Sequence, residues 1–326
     1  MSNRRHLLVG AAAAALSGLP RAQSDGPREN LRIVCGFPAG GTADTVARRL
    51  SDGATPTLAR TSLVETKTGA GGQIAAQFVK SAPTDGSTLL LTPLTILCTY
   101  PHTFAKLPYD SLNDFVAVGA GASFEYAVGV GPQVPPTVKN IADLMKWCKL
   151  APTHASFGSP ASGAAPHFIG VLIGKSAGVD MTHVAYRGTP PAILDMVGGQ
   201  IPIVIGPLGE FLQYAKDGRC RIVATSGVHR SRFAHEVATL KEQGHPEVTF
   251  DEWFAFFAPT GIPATAIGRT NAQIANALTK PSVATNFATL GMNVQLSTPA
   301  ELAARLRRDY GVWKEIVRKV GFTPQS

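Results

Sequence analysis

The sequence predicts an α/β protein of two lobes, and three observations carry that prediction. Residues 31–50 and 155–177 each run from a short apolar strand through a turn of small residues into a helix. Two further apolar strands, around 126–131 and 251–258, stand where the chain would pass from one such unit to the other and return. The chain's 326 residues also exceed what one hydrophobic core usually holds. The expected division is residues 24–125 with 252–326 as one lobe and 126–251 as the other.

The first 23 residues read as an export signal rather than as part of the fold. Arg4-Arg5 precedes an alanine- and leucine-rich run at 7–19, and cleavage is expected near Ala22. That run is too short to span a bilayer, which takes about 18 or more apolar residues, and no later run is longer. The paired arginines fit the twin-arginine route or an ordinary signal equally. Losing Arg4, Arg5 and Arg21 lowers the formal charge from +8 to +5. The remaining lysines and arginines are scattered, which suits a small anion better than nucleic acid.

Residues 33–37 are short, apolar and β-branched, as in a strand buried on both faces. Pro38, Ala39, Gly40 and Gly41 break it, and the two glycines let backbone approach a ligand closely. Thr42 is placed as an N-cap, and a helix starts near Ala43, with Val46, Ala47 and Leu50 on its apolar face. The free N–H groups of such a first turn, with the positive end of the helix dipole, form an anion site. A strand at 61–65, a glycine turn at 69–72, a helix at 73–80, a turn at 83–86 and a strand at 88–92 complete a parallel, right-handed unit. Ligands bind such sheets beyond the carboxyl ends of the strands. That rule selects Phe37, Ala39, Gly40, Gly41, Thr42 and Asp44, together with Thr92 and Thr95.

After the crossing at 126–131 and a helix at 140–149, the second unit repeats this logic. Residues 155–157 form a strand, 158–163 a loop of small residues and 166–177 a helix. Strands at 183–186, 201–205 and 222–226 and a helix at 192–197 follow. The second crossing ends at Pro259, and the remainder is expected to be helical, at 272–278, 283–290 and 299–320, with Gly321 as the stop.

Several chemistries are disfavoured. Neither phosphate-loop fingerprint fits residues 36–45, and Ile74 stands where a dinucleotide loop needs its third glycine. The histidines show no metal spacing, so no metal or cofactor is expected. Cys35, Cys98, Cys148 and Cys220 leave room for at most one disulfide, because Cys35 and Cys220 lie in apolar strands. Ser159 or Ser162 with His167 and His183 lacks a nucleophile elbow and a placed acid, so an enzyme is not expected.

The residues then form a recognisable series: Phe37-Pro38-Ala39-Gly40-Gly41 with Asp44 and Ala47-Arg48, Val64-Glu65 with Gly69-Ala70-Gly71-Gly72, and Pro83-Thr84-Asp85-Gly86 before Leu89-Leu90. Leu107-Pro108-Tyr109-Asp110 with Asp114-Phe115, Gly158-Ser159 with Gly163 and His167, and His183-Val184 with Tyr186-Arg187-Gly188 continue it. Pro191-Ala192 with Asp195, Gly199-Gln200 and Phe257-Ala258-Pro259 with Gly261 complete it. In order and spacing this resembles the periplasmic solute-binding proteins of tripartite tricarboxylate transporters, the Bug family, over nearly the whole mature chain.

The resemblance implies a type II periplasmic binding fold and capture of a small carboxylate for the membrane subunits of such a transporter. A sensor that presents ligand to a signalling receptor is the alternative partner reading, and the chain is expected to act as a monomer. One carboxylate is expected against residues 39–44 and the other end of the ligand against Ser159, Pro160, Ser162, Gly163, Ala164 and Ala165, with Arg187 and Gly206 nearby. The chain departs from the family at Ala43, Ala161 and Ala164, where relatives carry polar residues or glycine. It also has Gly206-Pro207 where relatives that bind amino acids place an aspartate. The expected ligand is therefore an acid without a free amine, with an apolar or aromatic body.

Overall fold

The computed structural model describes residues 28–325, so the expected export signal lies outside the described residues. The opening unit folds as β1 (Arg28–Cys35), α1 (Thr42–Ala54), β2 (Ala59–Thr66), α2 (Gln73–Lys80) and β3 (Thr88–Pro93). β1 lies between β2 and β3, parallel to both. Every residue of β3 is buried, as are Leu31, Ile33, Val34 and Cys35 of β1, because α1 and α2 both pack on these strands. A π-helical turn at Thr95–Thr99 and the four-residue α3 (Tyr100–Thr103) follow, and then β4 (Phe115–Phe124).

Only Glu125 separates β4 from β5 (Tyr126–Val130), yet the two strands belong to different sheets. The second sheet is filled by α4 (Ile141–Cys148), β6 (Ser156–Ser159), α5 (Ala165–Ala177), β7 (Thr182–Ala185), α6 (Thr189–Val197), β8 (Ile203–Pro207), α7 (Gly209–Lys216) and β9 (Arg221–Thr225). Its order is β7-β6-β8-β5-β9. The chain then returns to β10 (Glu252–Pro259), whose eight residues are all buried between β3 and β4 and antiparallel to both. α8 (Ala264–Leu278), α9 (Pro281–Thr289), β11 (Met292–Val294) and α10 (Pro299–Val320) finish the fold, and the first sheet runs β11-β4-β10-β3-β1-β2.

The two crossings lie side by side. Glu252 is in register with Phe124, and Ser226 stitches the neighbouring strands: its hydroxyl accepts the Tyr126 N–H at 2.9 Å and donates to the Phe250 carbonyl at 3.0 Å.

The structure changes several expectations. The C-terminal stretch is not wholly helical, because β11 pairs with β4. β4 itself, α3 and α7 add to the elements that the sequence pattern indicates. The allowance for a disulfide lapses, since all four cysteines are buried free thiols. Burial pushes the Cys35 thiol up to about 12 and those of Cys148 and Cys220 up to about 11, so they behave as small hydrophobes. Among the described residues no helix is long and apolar enough to cross a membrane.

Candidate functional site

The carboxyl ends of β1, β3, β6 and β8 converge on one cavity between the two sheets, with about 560 Å³ of space, part of it open to solvent. From the first sheet come Phe37, Pro38, Gly41, Thr42, Ala43, Pro93, Thr95, Tyr100, Phe124 and Phe254, with Tyr126 at the crossing. From the second come Pro160, Ala161, Ala164, Pro166, Gly188, Thr189, Pro190, Pro207 and Glu210. Both strand–turn–helix units therefore open on the same space. The walls are apolar and ringed by aromatic side chains, and none of the lining side chains is a lysine, arginine or histidine.

The one charge in the wall is negative. Glu210, in the first turn of α7, crosses to the start of α1, where its Oε1 accepts the Thr42 N–H and the Thr42 hydroxyl, both at 3.1 Å. The expected N-cap is thus corrected. Gly41 occupies that position in extended backbone, Thr42 is the first helical residue, and its hydroxyl is spent across the cleft. Burial raises the Glu210 carboxyl above the usual range, while Thr42 and the Thr189 hydroxyl hold it down. The other oxygen, Oε2, is buried and makes no hydrogen bond of good geometry, although the Thr189 hydroxyl lies near enough to the carboxylate to hold it down.

Behind the aromatic wall, the Tyr126 hydroxyl donates to Glu252 Oε2 at 2.6 Å, and Glu252 Oε1 accepts the N–H groups of Leu94 and Trp253 at 2.9 and 3.1 Å. Burial pushes the Glu252 carboxyl up to about 7. On the α5 side, Gly163 takes positive φ, and its N–H donates to His167 Nδ1 at 3.0 Å. The Thr103 hydroxyl donates to the Gly163 carbonyl at 3.3 Å. Ala164, the N-cap of α5, supplies no side-chain cap, and the Ala165 N–H reaches only Thr95 Oγ1 at a long 3.5 Å.

Ser159 is buried below this turn. Its hydroxyl donates to the Ala161 carbonyl at 3.1 Å and lies 2.7 Å from His183 Nε2. With the hydroxyl proton directed at the carbonyl, His183 is the donor in that pair, the reverse of nucleophile activation. Burial drives the stacked His167 and His183 rings down to about 4 and about 3, so both are neutral near pH 7.

Of the sequence-selected residues, Phe37, Gly41, Thr42, Thr95, Pro160 and Ala164 line the cavity. Ala165 is fully buried and is not one of the lining residues. Asp44 does not reach it: its Oδ2 closes the turn by accepting the Gly40 N–H at 3.0 Å and binding Arg48 at 2.8 Å. The Thr92 hydroxyl turns back to the Pro93 carbonyl, and Ser159 and Gly163 serve the α5 turn. Gly206 is a packing position, since a Cβ there would sit 2.3 Å from Thr189 Cγ2. Ala39 and Gly40 are exposed, and Ser162 and the exposed Arg187 border an outer depression that shares Phe37 and Pro160 with the cavity. Ala43, Ala161 and Ala164, the departures noted above, all line the cavity.

Sequence reasoning missed Glu210, Thr189, Tyr100, Phe124, Tyr126 and Phe254. For Glu210 a faint signal existed, an acid just after the strand-ending Gly206-Pro207-Leu208-Gly209, where the first turn of a helix favours one. It also removes the ground for excluding an amine. Gly206-Pro207 lacks the aspartate, but a carboxylate four residues on reaches the cavity.

The chain is similar over residues 46–322 to the family described as tripartite tricarboxylate transporter family receptor. A UPF0065 protein of Bordetella bronchiseptica is 30% identical over 98% of this chain and 94% of its own length. Protein BugT of Bordetella pertussis is 28% identical over 90% of each. Among solved structures, the periplasmic binding protein BugD superposes with a TM-score of 0.85 at 27% identity, covering 92% of this chain and 100% of that one. MatC from Rhodopseudomonas palustris, solved with bound malate, gives 0.82 at 27% identity, covering 89% and 99%.

Proposed function

The chain belongs to the tripartite tricarboxylate transporter receptor family, and from that premise we propose that it captures a small carboxylate in the periplasm and delivers it to the membrane subunits of such a transporter. The observation that carries this reading is the single cavity shared by two strand–turn–helix units, one from each sheet. Backbone N–H groups at a helix start hold an anion without a buried lysine or arginine, whose desolvation is costly. The bound malate of MatC is in keeping with such a ligand. The rings of Phe37, Tyr100, Phe124, Tyr126 and Phe254 favour an acid with an apolar or aromatic body.

Residues 1–23 act as the export signal in this reading. The lobes are taken as residues 24–125 with 252–326 and residues 126–251, a division that the grouping of the strands into two sheets supports. They close on the ligand about the paired crossings, and the chain works as a monomer without a cofactor. Ser159 and His183 hold the α5 turn and perform no chemistry.

Native mass spectrometry of the purified protein, followed by a thermal-shift panel of mono-, di- and tricarboxylates, tests the proposal. A ligand at about a thousand times its dissociation constant stabilises by roughly 4 kcal/mol, which moves the melting temperature by several degrees. A panel in which nucleotides shift the transition and no carboxylate does would overturn it.

A further inference from the structure

We propose that Glu210 sets the polarity of the bound acid: the ligand turns a hydrogen-bond donor, an ammonium or a hydroxyl, towards Glu210 and its carboxylate towards the start of α5. The inference rests on the carboxylate reading above and narrows it. At the start of α1 the Thr42 N–H and hydroxyl are already engaged, both donating to Glu210 Oε1 at 3.1 Å. A ligand carboxylate there would meet a like charge in a cavity whose lining includes no lysine, arginine or histidine.

Glu210 Oε2 makes the converse demand. It is buried and makes no hydrogen bond of good geometry, the Thr189 hydroxyl being the neighbour that acts on this carboxylate, and such an oxygen is satisfied by a further donor. The start of α5 has the opposite character. Ala164 gives it no side-chain cap, Pro166 brings no N–H, the His167 N–H donates to the Ala164 carbonyl and the Ala165 N–H has a 3.5 Å contact to Thr95 Oγ1, so what favours the carboxylate at that end is that no acidic side chain lines it. The internal carboxylate bridges α7 to α1, the two lobes of the clamp, so a donor that satisfies Oε2 also supports closure.

Isothermal titration at neutral pH with three matched series tests this. Each series pairs an amino acid, a hydroxy acid, a plain acid and a diacid on one skeleton: 4-aminobutyrate, 4-hydroxybutyrate, butyrate and succinate; 6-aminohexanoate, 6-hydroxyhexanoate, hexanoate and adipate; 4-aminobenzoate, 4-hydroxybenzoate, benzoate and terephthalate. In whichever series binds, the amino or hydroxy acid is expected to bind about ten-fold or more tighter than the diacid. Glu210→Gln, checked for folding by its melting transition, is expected to abolish that preference and to tighten diacid binding. A diacid that binds tightest to the unaltered protein overturns the inference, as does a preference that survives in a folded Glu210→Gln. The wild-type comparison decides alone if the variant fails to fold. Acids that bind with the diacid preferred sink only this inference; if no acid binds in any series, the carboxylate reading falls with it.

Discussion

Glu252 ties the two crossings together through its hydrogen bonds to Tyr126, Leu94 and Trp253, and its protonation is linked to folding. Its carboxyl is raised from 4.5 to about 7, and that of Glu125, in the other crossing, is raised similarly, both chiefly by burial. Asp251 pushes Glu125 further up, whereas Arg305 pulls Glu252 down. Between these values the folded protein keeps the protons that the unfolded chain releases. Stability is therefore lost as pH rises from about 4.5 to about 7, and the full cost remains above that. His167 and His183 act with opposite sign, since their folded values lie below 6.5 and stability is lost as pH falls below it. The difference between Glu252→Gln and wild type isolates the carboxylate. Melting curves from pH 5 to pH 8.5 are expected to show the variant gaining on the wild type by a few degrees towards the alkaline end. Parallel profiles would refute the assignment. At the same scale, Thr42→Val removes a donor from Glu210, and ligand affinity measured by titration is expected to fall about five-fold.

α7 is the element that brings Glu210 to the cleft, and one glycine decides where it starts. A Cβ on Gly209 would stand 1.6 Å from the Leu290 carbonyl oxygen, an overlap that only backbone displacement could relieve. Gly209→Ala is expected to destabilise by about 2–3 kcal/mol and to weaken ligand discrimination, both visible in melting curves and titrations. An unchanged melting temperature would show that the contact yields freely. The elements differ in how plainly they are written in the chain. α2 spans residues 73–80 and α10 residues 299–320 as expected, because each carries its own boundary signals: a glycine turn before α2, and for α10 the Thr298–Glu301 capping box and Gly321. β4 reads Val-Ala-Val-Gly-Ala-Gly-Ala-Ser in its centre, too poor in large β-formers to announce itself, and its partners β10 and β11 lie more than a hundred residues away in sequence. α7 has eight residues with two buried, so it shows no usable period.

For the whole molecule, hydrogen bonds cross the cleft between the elements of the two sheets. Glu210 meets Thr42, the Thr103 hydroxyl meets the Gly163 carbonyl, and the Gln325 side chain donates to Ser162 Oγ. Small-angle scattering is expected to show a smaller radius of gyration with a bound acid than without one. Identical curves at saturation would argue against hinge closure. The two strand–turn–helix units, the crossings and the small residues at the cavity wall were legible in the chain alone, because periodicity, glycine turns and helix starts are recorded within a few neighbouring positions. That one helix start is occupied by the protein's own carboxylate emerges only on folding. Thr42 and Glu210 are 168 residues apart, and no local pattern records a hydrogen bond formed between side chains that meet only when two sheets are folded against each other.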